Sequence, residues 1–368
     1  KDDYLKIIND YNVVFLPDTQ DQKIKFSKIK LNFLSTDKNV AYKDLVNYSY
    51  KSFYFGFNEE KILIIDVAGN SNIINLDFDK KTLNQITVKN NILAEKILDI
   101  LVSKNDVFVS YIKSHSNDCK KFHLAKAKFD SKELIFNDIF VIPECGKFIQ
   151  GGRIKNYTYL NKGIKKNGLL FSAASNVSDK PNDDPQNLDS FFGKIIFYNF
   201  DDKKTEIFSL GHRNPQGLLV YNDLVLSTEH GPRGGDEINK IIYGKNYGWP
   251  EVSYGKKYYS NEKYLKDHKK NGFEEPLYVF IPSIGISEII NVPKNFAVNW
   301  NNNFLVSSLG DESLYRVKFD EKFSRLIFAE KIFIGDRIRD LIYLPSENAI
   351  LLALERKGEI GILKSFDY

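Results

Sequence analysis

The chain has 368 residues, 42% hydrophobic and 27% charged, with 52 basic residues against 48 acidic ones and a formal net charge of +4. These are ordinary globular values, sufficient to bury a core without staples. The near-balanced charge, with no RNP-like aromatic motif or zinc-finger spacing, argues against a nucleic-acid partner, and no apolar run is long enough to cross a bilayer.

Six times along the chain a short apolar run is followed by a polar turn and then by an alternating run. The pairs are residues 62–65 with 73–79, 107–112 with 122–130, 169–173 with 194–201, 224–227 with 237–242, 304–307 with 314–320, and 350–354 with 359–363. A continuous apolar run is what a strand covered on both faces needs; an alternating run has one wet face. Tyr, Phe, Ile and Val dominate both kinds, which suits a pleated surface. The repeat recurs every 45 to 80 residues or so, near the blade period at its short end. A self-similar array of this kind predicts an all-β chain folded as one six-bladed β-propeller over residues 1–368. A β-sandwich or a pair of β domains is the alternative. Two long stretches rich in Pro, Asn and Asp, residues 175–192 and 252–281, make poor strands. They are expected in the loops that join blades at one end of the ring.

The two cysteines, Cys119 and Cys145, could pair in an oxidising compartment, but two thiols make no framework, and two free or buried thiols are expected. The chain opens on Lys1, as a processed or trimmed chain does, so a missing signal segment does not argue for the cytoplasm.

Residues 211–255 break the general texture by crowding Gly, Pro, charged and aromatic residues together. Buried polar groups need partners, so such a stretch reads as a site carried on loops. Arg213 offers a fork of donors for a carboxylate or quinone oxygen. Gly231 and Pro232 leave carbonyl oxygens exposed in a turn close to Glu229, Asp236 and Glu237, an oxygen set suited to calcium, although no EF-hand spacing is present. The five histidines have no zinc-ligand spacing.

Three strings in this stretch, GHRNPQG at 211–217, EHGPRGGDEIN at 229–239 and NYGWP at 246–250, resemble the signature of the soluble pyrroloquinoline quinone (PQQ)-dependent aldose sugar dehydrogenases, the glucose/sorbosone dehydrogenase family. Further likeness lies at Gly151-Gly152-Arg153-Ile154, at 185–188 leading to 193–195, at 281–284, and at Arg337-Ile338-Arg339-Asp340. The resemblance covers roughly residues 145 to 360. It implies a six-bladed propeller with PQQ and Ca²⁺ on its axis, in a periplasmic or secreted protein. Arg213 and Asn214 would contact the quinone and its carboxylates, and the carbonyls of Gly231 and Pro232 would help ligate the cofactor's calcium. Arg337 and Arg339, two apart on a strand and so on one face, would pair with PQQ carboxylates. Glu237 and Tyr247 match positions that hold a second, structural calcium. The implied substrate is a small sugar or polyol, oxidised at C1–OH by hydride transfer.

The pattern breaks at one place. Where the family carries its catalytic His, four residues before the Arg of a His-x-Gly-Gly/Ser-Arg-Leu string, this chain has Ile149, which cannot take a proton. Gln150 is no base either and is expected on the other strand face; His230 and Glu229 are the nearest other bases. A cofactor-facing Gln is lost where Ala94 to Asp99 align, and Gly310 follows Ser308-Leu309 where some members carry a Lys. Read without the family, Glu237 is an ordinary salt-bridge residue, and Arg337 and Arg339 are strand-end partners of Asp336 and Asp340. Two readings stand: a dehydrogenase-like enzyme, and a catalytically inactive propeller that binds a saccharide or a protein.

Overall fold

The computed structural model describes residues 14–15, 22–36, 50–58, 61–78, 80, 82–116, 118–147, 149–161, 163–175, 183–258, 260–264 and 266–367. Their strands form six sheets. The innermost strands are Phe53–Phe57, Lys96–Ser103, Gly151–Asn161, Pro215–Tyr221, Ile286–Asn291 and Ile338–Leu344. Each packs on the next, and the last meets the first. The fold is a six-bladed β-propeller. All six predicted pairs are the second and third strands of a blade, from Ile62–Asp66 with Ser71–Asp77 to Ala349–Leu354 with Glu359–Asp367.

Blade 6 takes its fourth strand from the other end of the chain. Gln22–Lys30 pairs antiparallel with Glu359–Asp367, so backbone hydrogen bonds close the ring. Between neighbouring blades the inward faces meet in hydrophobic clusters. Phe108 and Phe122 of blade 2, for example, pack with Phe171 and Phe192 of blade 3.

The innermost strands share one irregularity that builds the site. In blades 2 to 6 the register slips between Ile97 and Asp99, Gly151 and Ile154, Pro215 and Gly217, Ile286 and Ile289, and Ile338 and Leu341. A bulge of this kind re-aims a side chain. Polar residues stand at or beside each of these slips: Asp99, Arg153, Gln216, Glu288, Arg339 and Asp340.

Two expectations are corrected. The long stretches do not join blades. Residues 175–192 lie between the second and third strands of blade 3, with 176–182 outside the described residues, and 252–281 lie mainly between the third and fourth strands of blade 4. Cys119 and Cys145 are not free but bridged. The bridge ties the start of a blade 2 strand, Cys119–Lys128, to the segment that leads into blade 3. Gly146 N–H reinforces it by donating to the Lys120 carbonyl at 2.8 Å. No helix among the described residues is long and apolar enough to cross a membrane.

Candidate active site on the propeller axis

Arg153 stands on the axis, 1% exposed. Its guanidinium reaches every other blade: the Tyr54 ring of blade 1 at 5.3 Å, Asp99 of blade 2 at 3.1 Å, the Gln216 carbonyl of blade 4 at 2.6 Å, Glu288 of blade 5 at 3.2 Å, and Asp340 with the Arg339 carbonyl of blade 6 at 3.0 and 2.6 Å. Burial works against its charge, but Glu288, Asp99 and Asp340 outweigh it and raise its pKa. Three carboxylates share Arg153 and Lys155, so one negative charge is left over. Accordingly burial, opposed by Arg153 and Lys155 but aided by Asp340 and Glu288, pushes Asp99 up to about 7. The hub also pins two strand bulges through their carbonyls, those that carry Gln216 and Arg339.

Above the hub the side chains of the site are joined in one network. Arg339 Nη1 donates to Gln216 Oε1 at 3.2 Å, Gln216 Nε2 to Asn214 Oδ1 at 2.8 Å, and Asn214 Nδ2 to Gln150 Oε1 at 2.7 Å. Arg337 and Arg339 share one partner, the fully buried Glu355, through Nε contacts of 2.7 and 2.8 Å. The strand-end pairing with Asp336 and Asp340 is therefore corrected. Asp336 accepts the backbone N–H groups of Arg337 and Arg356, and Asp340 holds Arg153 and the Phe55 N–H. Burial alone would raise the Glu355 pKa, but Arg339 and Arg337 outweigh it and hold it at about 2. With its folded pKa depressed, Glu355 stabilises the fold above its ordinary value of 4.5 and loses that contribution as pH falls toward about 2. Glu355→Gln should therefore cost about 3 kcal/mol at neutral pH, and the gap to the parent chain should close between those two pH values in urea unfolding.

Arg213 lies at the rim. Its Nη1 donates to the His230 carbonyl at 3.0 Å and its Nη2 to the Tyr258 hydroxyl at 3.2 Å. Its guanidinium lies 5.3 Å from the Trp249 ring centre and 5.8 Å from that of Tyr258. Among the described residues no carboxylate pairs with it. Among the described residues, the three guanidinium groups at the rim, Arg213, Arg337 and Arg339, have one carboxylate as an ion-pair partner, Glu355, which Arg337 and Arg339 share. Both aromatic rings come from the segment between the third and fourth strands of blade 4, residues 241–277, which runs against blade 3 through a bridge of Asn246 to Leu210. Trp249 Nε1 is buried and has no hydrogen-bond partner among the described residues. The Tyr258 hydroxyl also donates to the Pro232 carbonyl at 3.2 Å. Gly231 admits no side chain, because a Cβ there would sit 2.1 Å from the Gly235 carbonyl oxygen.

Behind this rim, in the seam between blades 3 and 4, lie Glu237 and Tyr247. Glu229 accepts from the Arg213 backbone N–H and from His212 Nδ1 at 3.0 Å, so both of its oxygens are engaged. His212 stacks on Tyr247 at 4.7 Å. The Tyr247 hydroxyl donates to the Lys240 carbonyl and accepts from the Ile242 N–H, leaving the main-chain carbonyl as what Tyr247 can offer a cation. Glu237 has no ion pair among the described residues. Half-buried by area but enclosed by its neighbours, it is pushed up to about 8, by burial first and by Glu229 next. On the same face, Ser227 Oγ and Asn239 Oδ1 are buried and have no partners among the described residues. These two residues face each other across the strands one step from the Glu229–Glu237 pair. His230 Nε2 donates to the Ile286 carbonyl at 2.6 Å, and burial lowers its pKa.

The structure brings together Arg213, Asn214, Gly231, Pro232, Arg337 and Arg339, and sets Glu237 and Tyr247 one layer behind. It does not bring Ile149 to them. Ile149 is 3% exposed and packs among Leu98, Phe108 and Phe122 in the core between blades 2 and 3. Gln150 lies on the other face, as its position suggests, and that face is the one turned to the site. Arg153, Gln216 and Glu355 were not singled out from the sequence as groups that build the site. The signal for the first two was their place in the strings that carry the resemblance, Gly151-Gly152-Arg153-Ile154 and residues 211–217; Glu355 gave no such signal.

A family model described as Glucose / Sorbosone dehydrogenase matches residues 57–362. The chain belongs to that family. It is 30% identical over 281 residues to an uncharacterized protein of Synechocystis, covering 70% of this chain and 67% of that one. To the aldose sugar dehydrogenase YliI of Escherichia coli it is 30% identical over 213 residues, 52% of this chain and 56% of that one. To quinoprotein glucose dehydrogenase B of Acinetobacter calcoaceticus it is 26% identical over 271 residues, 55% and 57% of the two chains. The match thus spans little more than half the length of these two named relatives. The fold is shared with the apo form of the E. coli soluble aldose sugar dehydrogenase, at TM-score 0.68 and 20% identity over 86% of this chain and 96% of that one. It is shared too with the PQQ-bound aldose sugar dehydrogenase of Streptomyces coelicolor, at TM-score 0.64 and 18% identity over 93% and 98%.

Proposed function

We propose that this glucose/sorbosone dehydrogenase family member holds PQQ with Ca²⁺ at the axial rim and acts on a hydroxyl of a small sugar or polyol. The observation that carries this reading is that three guanidinium groups gather at the rim with Glu355 as their one ion-pair partner among the described residues. A flat tricarboxylate would offset their charge, and Trp249 offers an unfilled donor beside Arg213. Arg213 and Asn214 would face the quinone oxygens, Arg337 and Arg339 the carboxylates, and the carbonyls of Gly231 and Pro232 the calcium. Unfilled oxygens on Ser227 and Asn239 beside Glu237, which has no ion pair among the described residues and accepts from Asn239 Nδ2 at 3.1 Å, support a second calcium in the seam, with the Tyr247 carbonyl. These are hard oxygen donors of the kind calcium takes. When bound, PQQ supplies the two-electron acceptor; the chain supplies orientation and charge. The disulfide supports a periplasmic or secreted location, since such bridges persist in oxidising compartments.

Turnover is expected to be slow, because position 149 gives no proton acceptor, and loss of a general base typically costs a factor of about 10² to 10⁴. The burial of Ile149 also favours the second reading, an inactive propeller that binds a saccharide or a protein. Reconstitution with PQQ and Ca²⁺ separates the two. Quinone absorbance that survives dialysis, with dye reduction on a panel of aldoses, supports the enzyme; its absence after dialysis removes the enzyme reading. Arg337→Ala should weaken PQQ retention about 10- to 100-fold, the worth of a charge-assisted hydrogen bond. Unchanged retention would remove the carboxylate-clamp assignment even in an active enzyme.

A further inference from the structure

The hydrogen bonds from Arg339 to Gln150 can run in one direction only. A guanidinium donates and never accepts. The Arg339 contact therefore fixes the carbonyl end of the Gln216 amide toward blade 6. The Gln216 N–H₂ then faces Asn214 Oδ1, which turns the Asn214 N–H₂ toward Gln150 Oε1. The orientation of all three amides follows from one arginine. What remains at the far end is the Gln150 N–H₂, on an exposed side chain. Bonds in series polarise one another, so the cationic start strengthens the final donor. The relay begins above the buried hub and ends where a molecule from solvent first meets the site. Pinned below by Arg153, its first two members have little freedom.

We propose that Gln150 reads the substrate: its outward N–H donates to one oxygen of the sugar or polyol. The inference rests on the sugar reading given above. The contacted substrate atom must be an acceptor. A hydroxyl or ring oxygen satisfies it; a methylene leaves the donor unfilled, and an ammonium group opposes it.

The test compares an aldose with its series of monodeoxy and amino analogues on the parent chain and on Gln150→Leu, with PQQ retention read separately from absorbance. The parent should disfavour the analogues altered at one ring position about tenfold, the worth of one net hydrogen bond. Gln150→Leu should lose that discrimination at that position and keep it elsewhere. A merely structural role for Gln150 would shift the melting temperature and lower kcat/KM for every sugar alike, which overturns the proposal. Discrimination that survives unchanged in Gln150→Leu overturns it too. If PQQ is not retained, the dehydrogenase reading fails, and the same comparison is made by sugar binding to the full chain, followed through Trp fluorescence. No binding of any sugar at millimolar concentration would then overturn the assignment of Gln150.

Discussion

Replacing Arg153 by Met is expected to cost about 5 kcal/mol, the upper end for removing one member of a buried ion network. The reason is its place. One guanidinium touches the inner strands of all five other blades, and its removal leaves Asp99, Glu288 and Asp340 buried around the axis with only Lys155 for charge. Urea unfolding checks the loss, and two further observations identify its cause. Adding Asp99→Asn and Asp340→Asn to Arg153→Met should recover most of the stability, because Glu288 then keeps Lys155 as its partner and no charge is left uncompensated. The pH dependence should also steepen. Asp99 has a folded pKa raised from 3.8 to about 7, so in the parent chain its contribution is favourable at acid pH and is lost as pH rises through that window. Without Arg153 the carboxylates hold protons more strongly, and the variant should lose more stability over the same rise. A variant as stable as the parent at neutral pH would mean that the axis is wet and screened.

Most of the fold could be read from the sequence, and for a physical reason. The second and third strands of a blade lie inside the sheet, so their burial is regular and their periodicity is clean. Ile62–Asp66 is buried throughout, and Ser313–Phe319 buries most of its inward positions. The innermost strands escaped because bulges interrupt them at the point where a charged residue turns to the axis. In the stretch around Asp99 the apolar pattern slips by one residue, and no period holds through it. The closing strand Gln22–Lys30 carries lysines between its apolar residues and takes meaning only from a partner at the other end of the chain. The pairing of Cys119 with Cys145 is possible from the sequence but not decided by it, since they are 26 residues apart with nothing local to join them.

The site was legible where chemistry is local and hidden where it is assembled. Arg213, Gly231 and Pro232 lie in strings whose Gly, Pro and Arg content has no bland use. Arg337 and Arg339 could be paired with each other by strand alternation, but their counter-ion could not be named. Glu355 approaches them only because the next strand of the blade folds back, whereas the acids nearest in sequence, Asp336 and Asp340, turn elsewhere.

On the dehydrogenase reading proposed above, a base is expected to work in this site at position 150 and not at position 149. Ile149→His would place an imidazole among Leu98, Phe108 and Phe122, costing about 2 kcal/mol as a buried polar group without a partner and adding no turnover. Gln150→His faces the site but fails for another reason. Asn214 donates along the relay, so one ring nitrogen must accept from it and the other then carries a proton and can only donate. Gln150→Glu escapes both limits. One carboxylate oxygen accepts from Asn214 and the other is left to take a proton from a hydroxyl. With PQQ and Ca²⁺ bound, this variant should turn over aldoses about 10²-fold faster than the parent, the lower end of what a placed general base contributes. The gain should be present above the ordinary range of a Glu carboxyl and vanish below it, since the base works only when ionised. Stopped-flow dye reduction across pH reads both the size and the sign. Should Ile149→His carry the gain while Gln150→Glu stays silent, the segment entering blade 3 presents its other face to the axis, and the direction of the relay must be redrawn.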